Sequence, residues 1–198
     1  MSQPCLRSSP AELPSKRLLS AVGERLRYAN QPCAIVVLGG AAMNLLGVLD
    51  RPTIDVDVIA RADESGAIHP PDPLPDALQR AIVAVARDQG LLEHWMNTTV
   101  ADQWRLGLPH GMADGIEWRT YGALRVGIVG RRHLICFKLY ASADQTGPDN
   151  VHVRDLLALH PDEEELQWAA EWVRTQDPSP QFHEAVGKVV DYVQRALR

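Results

Sequence analysis

The spacing of apolar positions changes along the chain and divides it into elements. Over residues 15–28, Leu18, Leu19, Val22 and Leu26 share one helical face while Lys16, Arg17, Glu24 and Arg25 fall elsewhere, which predicts an amphipathic helix. "CAIVVLGG" follows, a short continuous apolar run closed by two glycines, the pattern of a buried strand ending at a tight turn. "AAMNLLGVL" returns to helical spacing. "TIDVDVIA" alternates Ile54, Val56 and Val58 with Thr53, Asp55 and Asp57, the period of a half-buried strand, and this puts both carboxylates on one face. The Pro-rich "RADESGAIHPPDPLP" predicts a loop. Leu74, Leu78, Ile82 and Val85 then predict a helix ending near Gly90, before a glycine-rich irregular stretch.

From Ile116 onward, "IEWRTYG" and "ALRVGIVG" predict two strands, and "HLICFKLYASAD" predicts a strand end feeding a helix. "VRDLLALH" predicts a short helix. Pro161 and "DEEE" place four acids in the first turn of the next, where they complement the helix dipole, and Trp168, Trp172 and Val173 extend it. Ser179 and Pro180 suit the N-cap and first residue of a last helix, with Phe182, Val186, Val189, Val190, Val193 and Leu197 as its apolar stripe. This order of elements indicates an α+β or α/β sandwich built on a small mixed β-sheet flanked by helices, with a C-terminal helical segment. Residues 1–160 would form the core and residues 161–198 the C-terminal helices packed on or beside it.

Composition narrows the setting. A chain of 198 residues with 45% hydrophobic content can bury one sizeable core, and a net charge of −5 argues against a dedicated nucleic-acid coat. Three cysteines, Cys5, Cys33 and Cys136, lie far apart without a CxxC spacing, so neither a disulfide framework nor a zinc knuckle is indicated. The amino end lacks an apolar signal core and no run is long enough to span a membrane, which together predict a cytoplasmic protein without a membrane partner.

Candidate chemistry centres on Asp55 and Asp57. Alternate residues of a strand lie roughly 6.6 Å apart on the same side, so two such carboxylates can converge on a divalent cation such as Mg²⁺. The competing reading is an exposed strand face carrying two solvated acids. Aspartate is a poor strand former, however, and two of them among Val and Ile need a metal, a basic partner or water as compensation. The Gly39–Gly40 pair, closing one strand and opening a helix, would let backbone approach a polyphosphate, although a lone G-G is also an ordinary turn and no Walker pattern is present. The combination of strand, G-G, helix, a turn with Arg51 and a strand with Asp55 and Asp57 carries the weight.

These residues bear a resemblance. "LGGAAMNLLGVLDRPTIDVDV" resembles the opening motif of the nucleotidyltransferase superfamily, a G-G or G-S turn followed by a strand with D-x-D. "RPTIDVD" is similar to the R-x-T-x-D-[IV]-D of the AbiEii-like nucleotidyltransferases, best known as toxins of type IV toxin–antitoxin systems. "WMN" at Trp95 to Asn97, "LICFKLYASAD" around Lys138 and "VRDLLAL" around Asp155 resemble the W-x-N, K-L-x-A and D-L-x-x-L blocks of a small bacterial branch, so the likeness spans residues 36–159. It implies a compact sheet holding a nucleoside triphosphate and Mg²⁺ or Mn²⁺, with transfer of a nucleotidyl group to an RNA, protein or small-molecule acceptor, and it admits an antitoxin partner. In that reading Asp55 and Asp57 are the metal ligands. Gly39, Gly40, Arg51, Thr53 and Lys138 bind the nucleotide, and Asp155 orients Lys138 or acts as a base. Bland readings stay open beside these: Lys138 as a snorkelling lysine at an element end, Asp155 as a surface helix acid.

Two departures qualify the likeness. His152 stands where many relatives carry an acid, and the third carboxylate of the superfamily has only Glu117 in "GIEWRT" as a candidate, provided that its strand pairs beside that of the aspartates. A second reading is therefore a non-catalytic relative that binds nucleotide or a partner. Other residues offer less. Seven histidines form no HExxH, and Cys136 suits a small buried hydrophobe. Trp95, Trp104 and Trp118 suit either base stacking or capping of a core.

Overall fold

The structure is a computed structural model that describes residues 13–53, 55–145 and 150–198. Cys5, the amino-terminal stretch and Ile54 of the expected aspartate strand lie outside the described residues. The chain forms a mixed α+β fold. In order it runs α1 (Leu13–Tyr28), β1 (Cys33–Leu38), α2 (Gly39–Leu45), β2 (Val56–Ala62), β3 (Ile68–His69), α3 (Asp76–Gln89) and β4 (Met96–Asn97). It continues through α4 (Asp102–Leu106), a 3-10 turn at Ala113–Gly115, β5 (Glu117–Tyr121), β6 (Leu124–Ile128), α5 (Arg131–Asp144), α6 (Val151–Ala158), α7 (Glu163–Gln176) and α8 (Pro180–Ala196).

The strands make one small open sheet in the order β3-β2-β1-β6-β5, with the two-residue β4 beside β2. β1 runs antiparallel to β2 and parallel to β6, so the sheet is mixed. The central β1 is apolar on both sides because both faces are covered, with Ile35, Val36 and Val37 fully buried, and β6 buries Leu124, Val126 and Ile128 on one face. α1 packs on α3 and across β5 and β6, while α5 carries α6, α7 and α8. No described helix is long and apolar enough to cross a membrane.

Three acids of "DEEE", Glu163, Glu164 and Glu165, lie in the first turn of α7, and the fourth, Asp162, is its N-cap. Asp162 and Glu165 form a reciprocal capping box at the start of α7, and Ser179 Oγ accepts from Phe182 N–H at the start of α8. Val186, Val190 and Val193 of the predicted stripe are buried.

Several elements differ from their expected form, among them the expected Pro-rich loop, which holds the end of β2 and the short β3. "HLICFKLYASAD" is helical throughout, within α5, whose residues Leu134 to Leu139 are all buried. A short apolar run has no periodicity that separates a buried helix from a buried strand, and Cys136 is accordingly a buried helical residue. The irregular stretch after Gly90 contains β4 and α4. β2 begins at Val56, so Thr53 and Asp55 precede it: the last β1 partner is Leu38, opposite Asp57, beyond which β1 turns into α2 and offers no ladder.

Candidate functional site

Asp57 is brought to the site by the start of β2. Its neighbours on either side are Leu38 of β1 and Asn97 of β4. β4 is only two residues long, yet it is anchored firmly. Trp95, completely buried, donates its indole N–H to the Ile82 carbonyl at 3.2 Å, and its own carbonyl accepts from Val56 N–H at 2.7 Å. Of the three tryptophans considered for base stacking, Trp95 and Trp104 therefore serve the core, the latter by donating to the Ile59 carbonyl, and Trp118 lies under the Arg125 guanidinium at 4.1 Å.

The two glycines are shaped to these side chains. Gly39 has φ of +71°, a conformation L side chains rarely adopt, and a Cβ there would stand 2.5 Å from Asp57 Oδ2. A Cβ on Gly40 would stand 3.0 Å from Thr53 Oγ1. The pair thus makes room for the aspartate and the threonine, a close approach that a sequence reading of G-G as a turn leaves out. Thr53 Oγ1 in turn donates to the Asp55 carbonyl at 3.3 Å, which ties the two residues together ahead of β2.

Behind Asp57 lies an ionic cluster. Lys138, in the middle of α5 and 6% exposed, donates to Asp155 Oδ2 at 2.7 Å; Arg51 donates to Asp155 Oδ1 at 2.6 Å. Asp155 is 1% exposed, so it is no surface acid, and Lys138 is no snorkelling lysine at an element end. Both carboxylate oxygens of Asp155 are thereby engaged, and it ties the turn before β2 to α5 and α6. Burial pushes the Asp57 carboxyl above the ordinary carboxylate value; the positive charge of Lys138 opposes this, nearby Asp55 reinforces it, and the neighbouring Asn97 amide opposes it. His152 faces the same cluster: burial holds its imidazole below the ordinary value, as do the charges of Lys138 and Arg51, against Asp155. Its Nδ1 is buried without a hydrogen-bond partner.

Glu117 lies elsewhere. β5 pairs with β6 and not with β2, which leaves β6 and β1 between Glu117 and the aspartates. The register pairs Asp57 with Leu38 but carries Glu117, through Ile128, to Val37, so the two acids project from opposite faces. Glu117 is exposed and holds Arg119 at 2.6 Å. Asp114 is exposed in the 3-10 turn. The structure thus gathers Gly39, Gly40, Arg51, Thr53, Asp55, Asp57, Lys138 and Asp155 at one end of the sheet and leaves Glu117 out. Asn97 and His152, to which sequence reasoning gave no role in the site, join it; the only sequence signal for Asn97 was its place in "WMN".

Among the described residues no three His, Cys, Asp or Glu side chains come together as a metal cage. Two carboxylates, Asp55 and Asp57, are the available donors. That set fits a hard cation such as Mg²⁺, which keeps several waters and takes its remaining ligands from substrate phosphates, and it does not fit zinc. In comparisons with protein families, curated proteins and solved structures, the chain matches none of them.

Proposed function

We propose that this chain is a Mg²⁺- or Mn²⁺-dependent nucleotidyltransferase, which moves a nucleotidyl group from a nucleoside triphosphate to an acceptor. The single observation that carries the reading is the setting of Asp57. Its carboxylate is half-buried beside a second acid, against a glycine that only leaves room for it, with a buried lysine and an amide opposing the cost of its charge. A fold that needed only a strand opener there would place an apolar residue. Asp55 and Asp57 hold the cation, which when bound neutralises phosphate charge and polarises the bond to be broken. Arg51, with half of its guanidinium side chain open to solvent, is free to meet phosphate while it keeps Asp155. Lys138 supplies fixed positive charge from behind, and Asp155 orients it. The resemblance in "RPTIDVD" supports the same chemistry, and with it a toxin role and an antitoxin partner; the acceptor is an RNA, a protein or a small molecule.

A second reading is favoured by one specific arrangement. Asp155 has both oxygens occupied and Glu117 is on the other face, so among the described residues the site has two free carboxylates and no third one. Such a site binds a metal–nucleotide and need not turn it over. One experiment separates the readings: Mg²⁺-dependent binding of ATP, CTP, GTP and UTP by calorimetry, followed by α-phosphate label transfer to total RNA and to the protein itself. Binding with transfer supports the enzyme, and binding without transfer supports the module. Absence of metal-dependent binding would overturn both.

A further inference from the structure

A groove of about 480 Å³ opens between α3 and the segment that carries β4, one strand away from Asp57. Asn97 belongs to both places: it stands opposite Asp57 in the parallel β2–β4 register, and it lines the groove. Leu74, Ile82, Val83 and Met96 make the apolar walls. The polar side is held in place by its own bonds, since Thr98 Oγ donates to Asp72 Oδ1 at 2.6 Å and Asn97 Oδ1 accepts from Thr99 N–H at 3.0 Å. Its volume lies within the roughly 300–1,000 Å³ of small-molecule sites, and such sites combine apolar walls with a few fixed polar groups in the same way. Its charge is as informative as its size. Asp72 and Glu93 line the groove, and among the described residues no lysine or arginine does. The cations of the site, Arg51 and Lys138, are gathered instead around Asp155. A polyphosphate is drawn to those two and repelled from the groove, which is left for an uncharged and partly apolar group.

We propose that this groove receives the base of the nucleoside triphosphate whose phosphates meet the cation at Asp55 and Asp57. The inference rests on the reading of those two aspartates as cation ligands. Neighbouring strands lie about 4.8 Å apart, so the carboxylate of Asp57 and the groove beside Asn97 are separated by a gap that a ribose bridges. The apolar side chains cover the faces of the base, and the threonine, amide and carboxylate groups meet the N–H and C=O groups of its edge. The short β4 gains a purpose from this. Two strand residues contribute little to a sheet, but anchored by Trp95 they form the wall that joins the cation site to the groove.

The test compares, by calorimetry on the full chain at saturating Mg²⁺, the binding of tripolyphosphate with that of ATP, CTP, GTP and UTP, in wild type and in Val83→Trp. Val83 is half-buried on α3, so the larger ring fills the groove and leaves the residues around Asp57 unchanged. In wild type the best nucleoside triphosphate should bind tighter than tripolyphosphate by about tenfold or more, the scale of burying part of a base. Val83→Trp should abolish that difference and leave tripolyphosphate affinity as it was. A variant that tightens nucleoside triphosphates alone stacks its new ring on the base, and this also puts the base in the groove. The inference is overturned, with the cation site intact, if wild type binds tripolyphosphate and nucleoside triphosphates equally, or if the difference survives in Val83→Trp. A loss shared by tripolyphosphate overturns it likewise. Wild type that binds neither ligand in a Mg²⁺-dependent way overturns the cation-site reading itself, and this inference with it. Should Val83→Trp fail to fold, Gln79→Trp, at an exposed groove position one turn earlier on α3, is read in the same way.

Discussion

Lys138 and Asp155 form a buried ion pair, 2.7 Å from Nζ to Oδ2, whose two side chains come from successive helices. Breaking it is costlier than its surface counterparts would suggest, because each partner left alone is a charge without water. Asp155→Ala strands Lys138, since Arg51 can turn outward but the lysine cannot. It should lower unfolding free energy by about 3–5 kcal/mol in urea titrations. Lys138→Met leaves Asp155 with Arg51 and should cost less, about 1–3 kcal/mol. A cost below about 1 kcal/mol for Asp155→Ala would show that the pair is not the buried linkage described.

Gly39 and Gly40 should respond differently to the same substitution. Gly39→Ala meets both a positive φ and the Asp57 carboxylate, so it should lose about 1–3 kcal/mol of stability and its Mg²⁺-dependent nucleotide binding. Gly40→Ala meets only the Thr53 side chain, most closely its hydroxyl, and Thr53→Ala should relieve it. Melting temperatures of the four proteins in the Gly40–Thr53 cycle check this, with equal effects in both backgrounds as the refuting outcome.

Asp57 should make the stability of the metal-free protein depend on pH. Its folded carboxyl is raised, mainly by burial, above the ordinary value of 3.8. A raised acid holds its proton more tightly folded than unfolded, so the folded state is penalised as pH climbs from the unfolded value through the folded one. Asp57→Asn removes the penalty. The variant should match wild type below this window and melt higher than wild type above it, in thermal scans from about pH 3 to about pH 8. A wild type that gains on the variant with rising pH would contradict the assignment.

Glu117 should be dispensable for the site. It is exposed, paired with Arg119, and on the opposite face from Asp57. Glu117→Gln should leave Mg²⁺-dependent nucleotide binding within about twofold, as expected of a surface charge far from the ligand. A loss of label transfer in that variant, with binding retained, would return Glu117 to the chemistry.

Much of this protein was legible from its sequence because the relevant physics is local. The helical face of Leu18, Leu19, Val22 and Leu26, the capping of α8, and the two strands in "IEWRTYG" and "ALRVGIVG" all depend on neighbours a few residues apart. So did the closeness of Gly39, Arg51, Thr53 and Asp57, which one β-α-β passage brings together. Tertiary structure decided what local spacing cannot. Whether "HLICFKLYASAD" is helix or strand depends on what covers it, since a run apolar on every side fits either. Which face Glu117 takes depends on the strand it pairs with and on the register, and a shift of one residue reverses the face. The roles of Asp155 and Asn97 depend on partners 17 and 104 residues away for the first and on a parallel neighbour for the second. The sequence by itself determined that two aspartates needed compensation; only the folded chain selected Lys138, Asn97 and an empty glycine to supply it, because the cost of a buried charge is met in space and not along the backbone.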